Sequence, residues 1–301
     1  MAQIVHAAGH VKLNTNRIED MVRDSTDILG LRVTREVDNQ VWLSSNGRAA
    51  ELVLVEAEEN SVNTIGLEAL SVEDVREAAS RVEAAGCKLV SQEPSMDCVQ
   101  AGVTFDTPEG LRFEIHTPTR DDMYVPRYDT HGVGPRRLDH MNILTPDPEA
   151  TAAQLMAIGD VRQSERMVNY ALSWYYGGNR QHHIFGLVKG TAPGLHHYSF
   201  EFTEFNMYCR LGDILDRHDR QYLWGPGRHR PGDNTYAYYV DSSNCIVEIS
   251  GPMATVADDA NFEPRVITNL ERPGNVRDMN VWGTPAPLEW REHAHPFMKL
   301  G

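Results

Sequence analysis

The sequence predicts an α+β protein made of four repeated βαβββ modules, which form two open mixed-sheet barrels, one per half. Three observations predict it. First, "AGHVKLNTNRIEDMVRDSTDILGLRV" and "LDHMNILTPDPEATAAQLMAIGDV" share one layout: a short apolar strand with a histidine (His10, His140), a polar turn, an amphipathic stretch and a glycine near its end (Gly30, Gly159). Second, "TIGLEALSVEDVREAASRVEAAGCKLV" and "GLHHYSFEFTEFNMYCRLGDILDRHDRQYLW" both run strand, helix, strand. Third, "VTFDTPEGLRFEIHT" and "AYYVDSSNCIVEISG" are each two strands around a tight turn, and their second strands carry Glu114 and Glu248.

These pairs divide the chain. Residues 1–125 make an N-terminal domain, 138–265 a C-terminal one, and "DDMYVPRYDTHGVGPRR" reads as a Pro- and Gly-bearing linker. Residues 266–301 belong to neither repeat and suit a lid over a site in the C-terminal half. The bulk numbers agree with a globular chain: 301 residues, 41% apolar and 24% charged. A formal net charge of −15 argues against nucleic acid or an anionic membrane as partner. There is no bilayer-length apolar run and no signal-peptide core at the N-terminus, so a cytoplasmic location is expected. Four scattered cysteines without CxxC spacing read as free thiols in a reducing compartment.

The 13 histidines are the unusual feature. In "LHHYSFEF" strand alternation puts His196, Tyr198, Phe200 and Phe202 on an apolar face, and His197, Ser199 and Glu201 on a polar one. His197 is therefore the expected ligand and His196 the packing residue. His140 and Asn142 share a face of "LDHMNIL", and Glu248 lies in the apolar strand "IVEIS", where a carboxylate needs a partner. Two imidazoles and a carboxylate on separate strands match the facial triad of non-haem Fe(II) enzymes, which leaves one octahedral face open. The repeat supplies a control: the N-terminal half keeps His10 and Glu114, but Leu67 is expected where the other half has His197. That half should hold no metal.

With these residues in view, the chain resembles the type I extradiol ring-cleaving catechol dioxygenases of the vicinal oxygen chelate (glyoxalase/bleomycin-resistance-like) superfamily over essentially its whole length. The most specific stretch is "GPGRHRPGDNTYAYYVDSSNCIVEISG", which follows the pattern Gly-x-His, spacer, Tyr, acidic turn, Glu. It departs from the family at Ala237, Ser242 and Asn244; asparagine still tolerates a left-handed turn. The resemblance implies Fe(II), with Mn(II) an alternative, on His140, His197 and Glu248. It implies active-site roles for His229 and Tyr238, and an acid–base histidine in "NRQHHIFGLV", where His182 and His183 compete and the following small residue, Gly186, favours His183. It implies a catechol and O₂ as substrates, extradiol cleavage, and a homo-oligomer. A metal-dependent isomerase or transferase of the same fold, or a small-molecule-binding protein, is the alternative. Asn142, Trp174, His182, Trp224 and Arg228 are expected around the substrate. Trp224 would face an apolar substituent, Arg228 or Arg230 a carboxylate, and Tyr175 would help shape the pocket.

Overall fold

A computed structural model describes residues 3–119, 131–268 and 279–300. Four modules follow one another. The first is β1 (Val5–Thr15), α1 (Ile18–Arg23) running into a π-helical turn (Asp24–Leu29), β2 (Arg32–Val37), β3 (Gln40–Ser44) and β4 (Leu52–Glu56). The second is β5 (Ser61–Ala69), α2 (Val72–Arg81), β6 (Lys88–Ser91), β7 (Gly102–Asp106) and β8 (Arg112–His116). The third is β9 (Leu138–Thr145), α3 (Pro148–Gly159), β10 (Arg162–Met167), β11 (Leu172–Tyr176) and β12 (Phe185–Lys189). The fourth is β13 (Gly194–Glu201), α4 (Met207–Arg217), β14 (Trp224–His229), β15 (Thr235–Val240) and β16 (Ile246–Ser250).

The strand orders show how modules pair. In the first sheet the order is β2-β3-β4-β1-β5-β8-β7-β6, so two modules meet at the antiparallel β1–β5 seam. The second sheet repeats this about β9–β13, in the order β10-β11-β12-β9-β13-β16-β15-β14. β2 and β6 do not pair with each other, so the first sheet stays open. The remaining strands extend the second sheet. β17 (Arg265–Ile267) lies beside β10, β18 (Asn280–Trp282) beside β14, and β19 (His295–Pro296) beside β13. A short helix, α5 (Leu288–Arg291), lies between the last two. Most of the expected linker, residues 120–130, and residues 269–278 of the C-terminal segment lie outside the described residues, as does the expected boundary at residue 125.

Local chemistry explains the helix ends. The Ser71 hydroxyl accepts from the Asp74 N–H at the start of α2, and the Asp147 carboxylate accepts from the Ala150 N–H ahead of Pro148. Gly30 ends the first helix in the left-handed conformation (φ 83°). Its counterpart is not Gly159, which is the last helical residue; Asp160 takes the left-handed position at φ 53°. Gly159 is small for packing, since a Cβ there would lie 2.7 Å from Val5 Cγ2.

Pairing register corrects the alignment of the two halves. Ser199 lies opposite His140 on one side and Glu248 on the other. Gly66 lies likewise between His10 and Glu114. Gly66 therefore matches Ser199, and the residue matching His197 is Thr64, not Leu67. Leu67 packs in the apolar core. An alternating strand can be slid in a sequence alignment, and only its neighbours define its register. In the N-terminal half His10 stands 3.7 Å from Glu114 and 3.1 Å from His116. Lys12 bonds Ser95 at 2.9 Å, and Ser95 donates to Glu114, so a buried ammonium lies near that carboxylate.

Candidate metal centre and its pocket

β9, β13 and β16 are adjacent in the second sheet and carry His140, His197 and Glu248 side by side. Their ligand atoms lie within 4.8 Å of one another, and among the described residues they form the one such group of three. All three are buried. Nε2 of His140 is 2.9 Å and Nε2 of His197 3.0 Å from Glu248 Oε2.

Hydrogen bonds determine which ring nitrogens carry protons. His140 Nδ1–H donates to Asp139 Oδ2 at 2.8 Å, which leaves Nε2 a bare lone pair. His196 Nε2–H donates to the Trp290 carbonyl at 2.7 Å, so its Nδ1 must accept from His197 Nδ1–H, also at 2.7 Å. His197 Nε2 is then also a lone pair, and Asn142 Nδ2 donates to it at 3.1 Å. Two lone pairs thus converge on one carboxylate oxygen, while Glu248 Oε1 is buried with no hydrogen bond. Such a cluster requires a positive charge. Without a metal a proton supplies it: burial lowers the His140 pKa, but Glu248 and Asp139 outweigh this and raise it to about 9. Burial lowers His197 despite Glu248, and the imidazoles hold Glu248 well below the usual carboxylate range against its own burial. The donor set fits a divalent cation of the Fe(II) or Mn(II) type.

His196 departs from its expected packing role. A β-bulge between Leu195 and His197 interrupts the pairing of β13 with β9, and with it the simple alternation of faces. Tyr198, Phe200 and Phe202 enter the core as expected, whereas His196 lines the cavity and links His197 to the C-terminal segment. Glu201, at the strand's end, turns to Arg137 at 2.7 Å.

The cluster opens into a cavity of about 570 Å³. His183 lines it, with its ring 4.5 Å from that of His140; burial, with His140 and His182 nearby, holds its pKa well below 6.5, so it is neutral. His182 bonds His183 through Nδ1 at 3.0 Å and points Nε2 toward Glu165 at 3.4 Å, outside the cavity lining. Gly186 makes room for the site, since a Cβ there would lie 1.8 Å from Asn142 Oδ1. Across the cavity, Asn280 Nδ2 donates to Tyr236 Oη and to the Thr284 carbonyl, so its Oδ1 accepts from His229 Nδ1–H at 3.0 Å. His229 Nε2 then accepts from the Tyr238 hydroxyl at 2.9 Å. Burial pushes His229 down to about 4; burial, with Glu248 nearby, pushes the Tyr238 phenol well above its ordinary value. Asn244 holds the turn before β16 in the left-handed conformation (φ 61°).

Trp174, Trp224 and Asn142 line the cavity. Arg228 does not; it pairs with Asp233 at 2.6 Å. Tyr175 lies in the core, stacked on Phe185, and its hydroxyl accepts from Gln163. Sequence reasoning did not single out Asn280, Trp290 or Asp139. Asp139 had a local signal, a carboxylate beside a candidate ligand; the other two reach the site only through tertiary packing.

Fold and site together define a class: a protein of two halves and four modules, with a 2-His-1-carboxylate cluster in the second half only, among the described residues. Comparison with known proteins shows what the chain is similar to. Residues 7–115 match the model of the Glyoxalase/Bleomycin resistance protein/Dioxygenase superfamily. The chain is 27% identical over 256 residues to a manganese-dependent 2,3-dihydroxybiphenyl 1,2-dioxygenase of Geobacillus genomosp. 3, covering 77% of this chain and 80% of that protein. It is 25% identical over 304 residues to a metapyrocatechase of Geobacillus stearothermophilus, covering 93% and 90%. The fold is shared with homoprotocatechuate 2,3-dioxygenase of Brevibacterium fuscum, solved with 3,4-dihydroxyphenylacetate: TM-score 0.88, 23% identity, 99% of this chain and 95% of that one. The chain is thus similar to these dioxygenases over most of its length, and residues 7–115 are similar to the superfamily as a whole.

Proposed function

We propose that this protein opens the ring of a catechol by extradiol cleavage, with a divalent metal, Fe(II) or in its place Mn(II), on His140, His197 and Glu248. The observation that carries the reading is the pair of lone-pair Nε2 atoms beside Glu248 at the cavity wall, with neutral His183 adjacent. When bound, the metal supplies Lewis acidity and an open coordination face for the substrate oxygens and O₂. The chain's own groups do the rest. Neutral His183 takes a proton from a substrate hydroxyl and returns it later. The Tyr238 hydroxyl, which donates to His229 Nε2 in the resting site, turns its polar hydrogen toward a developing oxyanion, and His229 positions it. Trp174 and the C-terminal segment around Trp290 shield the site from water. In this reading residues 138–265 are the catalytic half, residues 1–125 a half without metal, and the segment from residue 266 the roof.

The test is oxygen uptake by protein loaded anaerobically with Fe(II) and given catechols. A yellow ring-opened product, loss of activity on oxidation of the metal, and recovery with ferrous salt and a mild reductant are expected. A colourless diacid as the main product, or full activity with ferric protein, would sink the assignment.

A further inference from the structure

The proteins similar to this one act on catechols that differ in charge. The name of one relative carries a biphenyl, whereas a fold neighbour was solved with an arylacetate. The cavity walls of this chain discriminate between such groups. Resting on the catechol reading above, we infer that the substrate is a catechol with a bulky, uncharged aryl substituent, which seats against Trp224 and Trp290.

Three observations carry this. The first is space and surface. About 570 Å³ lies open beyond the cluster, a volume suited to a ligand well beyond a bare catechol, and Met167, Leu172, Val188, Pro285 and Ala286 contribute apolar wall.

The second is aromatic geometry. Trp224 stacks on Tyr238 at 5.3 Å and 8°, and meets Trp290 at 4.7 Å and 61°. The Trp224 N–H is spent on the Thr284 carbonyl at 3.0 Å, so the indole is held in place without using a ligand. Aromatic faces and edges so arranged suit a second flat ring.

The third is charge. Among the described residues Glu248 is the one carboxylate in the lining, and it already faces two imidazoles. Of the described cations near the cavity, Arg228 is paired with Asp233 and Arg265 with Glu165, which also faces His182, while Arg230 is exposed and outside the lining. Among the described residues Arg291 is the single arginine of the lining, and it is exposed. A carboxylate within the apolar walls would lose its hydration without gaining an enclosed cation.

The experiment compares kcat/KM for catechol, phenyl-substituted catechols and carboxymethyl-substituted catechols on the Fe(II)-loaded full chain, with both ring positions represented. Anaerobic binding titrations accompany it. Burying one phenyl ring should favour the phenyl compounds over catechol by about 10- to 150-fold, with the carboxymethyl compounds below catechol. In Trp224→Ala and Trp290→Ala the phenyl-to-catechol ratio should fall at least about tenfold. Carboxymethyl compounds preferred over phenyl ones, or no phenyl advantage in either turnover or binding while catechol is cleaved, would overturn this inference and leave the dioxygenase reading standing. Failure to bind or cleave any catechol would overturn both.

Discussion

Asp139→Asn tests the centre through a residue that does not bind the metal. Asp139 stands at the end of a hydrogen-bond chain whose direction is forced. Arg137 can only donate, and gives Nη2–H to Gln181 Oε1 at 2.6 Å. This leaves Gln181 Nε2 facing Asp139 Oδ1 as donor, at 2.6 Å. His140 donates to the other oxygen at 2.8 Å. Asp139 therefore needs two acceptors, and asparagine has one. If its amide nitrogen faces Gln181, two donors collide, and Gln181 cannot flip without presenting donors to Arg137. If the nitrogen faces His140, the ring moves its proton to Nε2 and loses the lone pair that binds metal. Loss of such a ligand-orienting partner typically costs 10–100-fold in metal affinity, or about 1.4–2.7 kcal/mol. Competition of Fe(II) or Mn(II) against a chelating dye, on wild type and Asp139→Asn with matched circular dichroism, reads it directly. Affinity unchanged within twofold would refute the account of how the His140 tautomer is set.

Three further outcomes are expected. His197→Ala should keep the fold and lose the metal; stoichiometric, tightly held metal by elemental analysis would show the ligand set to be wrong. His183→Phe should retain metal and bind catechol anaerobically, yet turn over ~10²–10⁴-fold more slowly; steady-state kinetics showing that loss in His182→Phe instead would reassign the acid–base residue. Acid should loosen the C-terminal segment. Burial, with His293 beside it, lowers His295 from 6.5 to about 4, so the docked segment binds fewer protons than the released one. Its docking is strongest above pH 6.5 and weakens as pH falls toward 4, by about 3 kcal/mol in all for that shift. Hydrogen exchange of residues 288–296 should thus rise between pH 6.5 and 4.5 relative to β1, after correction for the intrinsic pH dependence of exchange; constant relative protection would count against the docking role of His295.

Much of this protein is determined locally and is legible in one dimension. Repetition of strand, helix and paired strands betrays four modules, because each element carries its own periodicity and caps. Strand alternation separates His197 and Ser199 from the core residues Tyr198 and Phe200, and a lone carboxylate in "IVEIS" marks Glu248 because burial demands a partner. Other features depend on register and on distant chain. The counterpart of His197 is Thr64 because β1 and β8 define where β5 lies, which no spacing within β5 records. His196 escapes the apolar face because a bulge shifts its pairing with β9. The cavity is completed by Asn280 and Trp290, the latter 94 residues beyond the histidine it accepts from. The electrostatic outcome is likewise tertiary. Arg228 looks free to meet a substrate carboxylate until the fold pairs it with Asp233. Composition can tell which side chains are available, but hydrogen-bond direction and burial, which set tautomer and charge, exist only once the strands are side by side.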